Sequence, residues 1–326
     1  MTRLPVLFIR MLRYRVAAMV WMFMLLGAAF HDGLGSAGAR VLWAAVALGS
    51  SYVAATTLND VADRDLDRVN HPGDVGRPLV FGTARPRDLY ALHVLAVVLA
   101  LASAAALGPA AVGIVGVSLA IGQAYSVRPL RLSYRTWLAP SILGVAYVLV
   151  PYALGLVVAG AQPGRRDAVF VGALYLLFIA RINLKDFRDR EGDTLYGRPT
   201  LLLRFGKRTT CWVSFGALAA GGALLVAALP SVGLRIVSAA FLLAIAGQLH
   251  VLARADRGRR EQIAIGLGAK MGNGLLLAVL AWFVLAGEGA PAGDRLLFTL
   301  LLAGAYGTSF VLLARSPERA VIGYKG

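Results

Sequence analysis

The chain has 326 residues, of which 58% are hydrophobic and 15% charged. A soluble domain carries roughly 25% charged residues, so this balance excludes an ordinary soluble fold. The formal charge of +16 would suit a nucleic-acid partner, but the placement of the basic residues points elsewhere.

Apolar runs of about 20 residues recur, each long enough to cross a bilayer core as a helix. They lack the alternation of barrel strands, which leaves helices as the structure that satisfies the backbone in lipid. The sequence predicts ten such segments, at 16–30, 39–60, 88–107, 109–126, 137–159, 168–186, 209–229, 232–253, 266–286 and 295–314. The expected fold class is therefore all-α, a polytopic transmembrane bundle of nine to ten helices. It is expected to form one integral-membrane domain over residues 1–326. The N-terminal stretch MTRLPVLFIRMLRYRV is read as a retained end leading into the first span, because no small-residue cleavage pattern follows it. Cys211 is the single cysteine, which excludes an intramolecular disulfide and disfavours a thiolate metal site.

With the N-terminus inside, 26 of the 33 Lys and Arg fall on one side of the membrane. The positive-inside rule then places both termini in the cytoplasm. Most of the basic excess is thus a topology signal and requires no nucleic acid.

The second predicted span ends in LNDVADRDLD (58–67), and the sixth ends in LKDFRDREGD (184–193). At a constant offset of 126, Asp60 aligns with Asp186, Asp63 with Asp189 and Asp67 with Asp193, while Asn59 meets Lys185. GRPL (76–79) is echoed by GRPT (197–200), so the chain reads as a pseudo-repeat of two four-helix units. Internal repeats in membrane proteins commonly place a site where the halves meet. On a continuous helix with Asn59 at zero, Asp63 falls at about 40°, Asp67 at about 80° and Asp60 at about 100°, with Asp65 turned away near 240°. Lys185, Asp189, Asp193 and Asp186 form the same arc in the second copy, with Glu191 off it. Carboxylates crowded on one face repel unless cations neutralise them, and hard divalent ions prefer such oxygen ligands. A single charged run at a membrane edge would be read as solvated loop; a repeated run followed by GRP favours a site.

The paired motifs, NDVADRDLD (59–67) after span two and DREGD (189–193) after span six, resemble those of the UbiA-type membrane prenyltransferase superfamily. The resemblance covers about residues 10–290 and leaves the segment 295–314 as an extra C-terminal helix. YSVRPLRLS (125–133) and RVNHPGDVGRPLVFG (68–82) resemble the chlorophyll-synthase-like branch. The resemblance implies a transferase that moves an isoprenoid chain from a polyprenyl diphosphate to a small acceptor, such as an aromatic or quinone precursor. It implies two Mg²⁺ ions held by Asn59, Asp63 and Asp67 on one side and Asp189 and Asp193 on the other, with Asp60 and Asp186 flanking them. Arg77, Arg128, Arg131, Lys185 and Arg198 are candidates for the diphosphate, with Tyr125 as a hydrogen-bond donor. Catalysis is assigned to Asp63, Asp67, Asp189, Asp193 and Lys185.

Arg64, Arg68, Arg188 and Arg190 read better as anchors at headgroups or partners of nearby acids. Arg181, His93, His250 and Lys270 are ionisable groups inside spans and are weaker candidates. Tyr147, Tyr152, Tyr175 and Phe178 are candidates for lining a prenyl channel, with helix packing the simpler role for each. Three other functions fit parts of the pattern: a terpene cyclase, a phosphoribosyl diphosphate:polyprenyl phosphate transferase and a divalent-cation transporter. The transporter fits least, because the acids lie at the membrane edge rather than its middle. The expected location is the plasma membrane, with the site on the cytoplasmic side.

Overall fold

The computed structural model describes residues 4–315 and is helical throughout its secondary structure. Two helices open the chain, α1 (Leu4–Leu12) and α2 (Tyr14–Ala29), bent by 65° where they meet. The bend falls on Arg13, whose φ of 43° is the left-handed conformation that a residue with a side chain seldom adopts. The first predicted repeat then runs through α3 (Ala39–Ala62), the short α4 (Arg64–Asn70), α5 (Pro86–Ala105) and α6 (Pro109–Ser126). Next comes α7 (Leu138–Ala159), which contains a π-helical stretch at Val145–Leu149. The second repeat consists of α8 (Arg165–Ile182), the short α9 (Arg190–Leu195), α10 (Leu201–Ala228) and α11 (Val232–Arg254). Two helices close the chain, α12 (Arg259–Gly287) and α13 (Ala292–Arg315).

Among the described residues, eight helices are long and apolar enough to cross a membrane, or nine when α1 and α2 count as one bent span. All nine coincide with predicted segments. The tenth predicted segment is also helical, as α13, and packs on α12 and α11. It is not among those nine, and its side chains from residue 309 onward lie outside the described residues, as do Arg319 and Lys325.

The repeat is visible in the packing. The helix that leads into the first acid motif, α3, has α5 as its principal neighbour, and the equivalent α8 has α10. Both short motif helices, α4 and α9, pack against each other. The largest apolar core joins α2, α7 and α8 to the closing half of the chain through Phe23, Tyr152, Phe170, Leu174, Leu249 and Val279. Two smaller cores, around Met24, Leu48 and Leu154 and around Leu7, Met11 and Leu92, hold the first half together.

The crossing of α2 and α7 is made by glycines. A Cβ on Gly155 would meet the Met24 carbonyl and, at 2.9 Å, the Ala28 nitrogen; one on Gly27 would meet the Tyr152 carbonyl. Close backbone approach through small residues is a main source of helix association in lipid, where apolar burial gives little drive. We expect Gly155→Val to force these helices apart, at a cost of about 1–3 kcal/mol for overpacking. Thermal unfolding in detergent should show a clear fall in melting temperature, whereas Gly113→Ala, at an open position, should leave it near wild type.

Candidate active site

The structure differs from the continuous helix assumed for each acid motif. α3 stops at Ala62, Asp63 has φ −106° and ψ 16°, and α4 starts at Arg64. In the second copy α8 gives way to a 3₁₀ turn at Asn183–Phe187, and Asp189 (φ −88°, ψ 5°) precedes α9. The chain therefore breaks at the same repeat position, Asp63 and Asp189, in both halves. A single 100° step per residue does not carry across these breaks. The sorting of acids nevertheless comes out as the arc foretold: Asp60, Asp63 and Asp67 are buried, whereas the Asp65 side chain is 66% exposed and pairs with Arg68. Glu191 is likewise exposed, and Asp186 and Asp193 are buried.

Contacts between the copies bring the two motifs into one site. Asn70 accepts a 2.6 Å hydrogen bond from the Gly192 backbone N–H, and His71 Nε2 lies 3.3 Å from Asp189 Oδ1. A Cβ on Gly192 would meet Asn70 Oδ1 at 2.7 Å, so a larger residue there would push the Asn70 amide away from this contact. Arg198, from the GRPT of the second copy, reaches Asp63 of the first at 3.5 Å and Asp193 of its own at 3.8 Å. The same guanidinium donates to the Ser133 carbonyl at 3.1 Å and to Tyr125 Oη at 3.4 Å. Arg77, from the GRPL of the first copy, pairs with Asp67 and lies 3.5 Å from Asp60. Arg131 lies 3.2 Å from Asp63, and Lys185 lies 3.1 Å from Asp186. Asn59 donates to Asp63 Oδ2 at 3.1 Å.

Of the six predicted diphosphate ligands, Arg77, Arg131, Lys185, Arg198 and Tyr125 therefore gather at the acids. Arg128 is exposed and pairs with no acid among the described residues. Arg181 points across to α12, where it donates to the Ala269 carbonyl and to Asn273 Oδ1, both at 3.1 Å. Tyr152 bonds Asp167 at 2.7 Å, together with His31, well away from the acid motifs in sequence. Tyr147 sits edge-on between Tyr52 and Phe178, forming an aromatic ladder in the body of the bundle.

Sequence reasoning missed two members. Arg13 was counted only as topology charge, yet it is paired with Asp60 at 2.6 Å from the strained bend between α1 and α2. Its sole sequence signal was a basic residue set among apolar ones at the start of a span. His71 lies in a stretch quoted for its resemblance, but nothing in its spacing foretold a partner 118 positions away.

Burial dominates the electrostatics. It pushes Asp67 up to about 7, with Asp60 and Asp63 adding to the rise and Arg77 and Arg13 opposing it. It pushes Asp193 up to about 7 as well, against the pull of Arg198 and Lys185. Asp189 also loses solvation, but the His71 hydrogen bond and the charges of Lys185 and Arg77 outweigh that loss and hold it near 2. Among the described residues, no three His, Cys, Asp or Glu side chains converge tightly enough to hold a metal ion as they stand. Yet both oxygens of Asp193 and Oδ2 of Asp60 are buried without a hydrogen-bond partner. Unsatisfied carboxylate oxygens among further carboxylates and an amide are the donor chemistry of a hard divalent cation, so the residues present fit Mg²⁺.

Comparison with known proteins shows the family and the fold. A model of the UbiA prenyltransferase family matches residues 20–274. The chain belongs to the UbiA prenyltransferase family. It is 30% identical over 207 residues to chlorophyll synthase of Arabidopsis thaliana, covering 56% of this chain and 49% of that protein. It is 36% identical over 175 residues to homogentisate phytyltransferase of Synechocystis, covering 51% and 54% respectively. The chain thus spans about half the length of these relatives. Among solved structures, a digeranylgeranylglyceryl phosphate synthase aligns with a TM-score of 0.64 at 15% identity, covering 87% of this chain and 99% of that one. A UbiA homologue from Archaeoglobus fulgidus bound to GPP and Mg²⁺ aligns with a TM-score of 0.56 at 19% identity, covering 93% and 99%. These two likenesses show that the chain has the UbiA fold.

A pH dependence follows from the two raised carboxyls. As ligands of a cation, these two carboxyls would bind only when ionised, so protonation below about 7 would compete with the ion. Mg²⁺ affinity of the purified protein, read by calorimetry, should fall steadily as pH drops from about 8 to 5 and level off above about 8. Asp189, already ionised throughout that range, should contribute no inflection.

Proposed function

We propose that this protein is a Mg²⁺-dependent membrane prenyltransferase that moves an isoprenoid chain from a polyprenyl diphosphate to a small aromatic or quinone-precursor acceptor. The observation that carries this reading is the meeting of two repeated acid motifs, joined by Arg198 between Asp63 and Asp193. Family membership supports the reaction class, and the relatives named above differ in acceptor.

Asn59, Asp63 and Asp67 from one copy and Asp189 and Asp193 from the other would hold two Mg²⁺ ions, with Asp60 and Asp186 beside them. When bound, the ions supply positive charge that offsets the charge growing on the leaving diphosphate. Arg77, Arg131, Arg198 and Lys185 already rest on these carboxylates. With cations on the carboxylates, these side chains would be free to grip phosphate oxygens, the arginines through a planar fork. Tyr125 Oη, within reach of Arg198, is positioned to donate to the same group. Breaking the allylic C–O bond leaves a carbocation, which the ring faces of Tyr52, Tyr147 and Phe178 stabilise while the apolar bundle keeps water away. The acceptor nucleophile attacks that carbon and loses its proton. The excess of Lys and Arg on the motif-bearing loops supports a plasma-membrane protein with both termini and the site in the cytoplasm.

The decisive assay gives purified protein Mg²⁺ and allylic diphosphates of several lengths and follows diphosphate release with and without aromatic acceptors. Acceptor-dependent release is expected; none under any condition would sink the proposal, and release with a cyclic hydrocarbon would favour a cyclase. Asp63→Ala and Asp189→Ala should each lower turnover by more than the roughly 10–100-fold typical of losing an outer partner of a metal site. Asp65→Ala, on the exposed side, should change it by no more than about twofold. Equal losses at Asp63 and Asp65 would contradict the buried-versus-exposed division.

A further inference from the structure

The second acid motif has a support that the first lacks, and it comes from outside both repeats. α9 is six residues long, too short to hold its own shape, and it follows a 3₁₀ turn and carries Gly192 in its middle. The first motif's short helix, the seven-residue α4, instead follows α3 across the single residue Asp63, with no 3₁₀ turn between them. Arg190, the first residue of α9, sits between Asp189 and Asp193 and reaches across to Glu261 Oε1 at 3.5 Å. Glu261 lies in the first turn of α12 and is 6% exposed. Its Oε1 also accepts from Lys207 Nζ at 3.0 Å.

Local backbone geometry aims Lys207 at this carboxylate. Gly206 interrupts α10 with φ 79° and ψ 172°, a conformation open to glycine, and Lys207 follows it directly. The ammonium donates to the Ala255 carbonyl as well, tying the turn before α12 to α10. Both cations lie over the ring of Phe187, with Arg190 Cζ at 5.6 Å and Lys207 Nζ at 5.9 Å from its centroid. Phe187 is buried and closes the 3₁₀ turn that contains Lys185 and Asp186. One buried carboxylate thus grips two cations that cover the ring beneath the second motif. Arg64, the repeat equivalent of Arg190, makes no ion pair among the described residues.

We propose that Glu261 is a positioning residue for the second acid motif: through Arg190 it fixes the start of α9, and thereby the spacing of Asp189 and Asp193. This rests on the reading of those aspartates as cation ligands. Outer partners that orient ligands typically contribute 10–100-fold to metal affinity. Of the two cations that Glu261 holds, Arg190 is the one that belongs to α9, so Arg190 is the tie through which it positions the aspartates.

The test uses Mn²⁺ as a paramagnetic probe, with free ion followed by electron paramagnetic resonance on the full chain in detergent and melting temperature recorded on the same samples. Glu261→Gln should weaken Mn²⁺ binding by about tenfold. Arg190→Gln should do the same, and the double variant should bind no more weakly than either single one. Lys207→Met, which leaves the Arg190–Glu261 pair in place, should bind Mn²⁺ as wild type does even if its melting temperature falls. Should Glu261→Gln fail to fold, Arg190→Gln reads the same tie from its other end. Wild-type affinity in Glu261→Gln or Arg190→Gln, or additive losses in the double variant, would overturn the positioning role while leaving the cation site intact. Absence of Mn²⁺ binding by the wild type would remove the cation reading itself, and this inference with it.

Discussion

Everything at the motif end of this bundle depends on one constraint: carboxylates crowded away from water must be neutralised. Asp60, Asp63, Asp67, Asp186 and Asp193 are buried, and stripping the solvation from an isolated carboxylate costs several kcal/mol or more. The chain meets this with arginines and a lysine drawn from five separate stretches: the bend before α2, the two GRP loops, the loop after α6, and the 3₁₀ turn of the second motif. Where that neutralisation is incomplete, as at Asp193, the carboxyl is held near 7, half-way to taking a proton. The same incompleteness is what the proposed divalent cation would relieve. Charge balance among the side chains and cation binding are alternative solutions to one electrostatic problem.

The repeat explains why the solution is two-sided. Each half delivers an acid-bearing span that breaks at the equivalent aspartate, then a short helix, then a GRP loop that returns an arginine to the acids. The halves are not used identically. Arg77 folds back on its own copy, whereas Arg198 crosses to Asp63 of the other, and that crossing contact joins the walls. The first wall runs from the long α3 directly into the short α4 and is braced by Arg13 from the strained bend at the chain's start. The second is carried by a 3₁₀ turn and a six-residue helix braced by α12. The backbone break at each motif redirects the chain at the middle aspartate, and the short helices that follow pack against each other.

What could be read from the sequence follows from the range of the forces involved. Span positions were legible because a bilayer demands about 20 apolar residues, and composition alone meets or fails that demand. The nine spans found among the described residues all sit where hydropathy put them. Asp63, Asp67, Asp189 and Asp193 were legible because the run occurs twice with the same spacing. Asp65 was separable from them because burial follows local periodicity even across a break. Arg13, His71 and Glu261 were not legible, since each acts on a partner 47 to 118 positions away and none lies in a repeated pattern. Arg128 shows the converse: its loop placed it with the other cations, yet the fold leaves it exposed.

The sequence by itself determined the class of the protein, the positions of nine of its ten predicted apolar spans and the acids of the two motifs, because those properties reside in composition, length and repetition. The tertiary structure alone decided which cation neutralises which acid, that both motifs kink at their middle aspartate, and that α4 and α9 meet. Those outcomes depend on distances between segments far apart in the chain, which packing of the α2–α7 glycine crossing and of the three apolar cores sets and which no local pattern encodes.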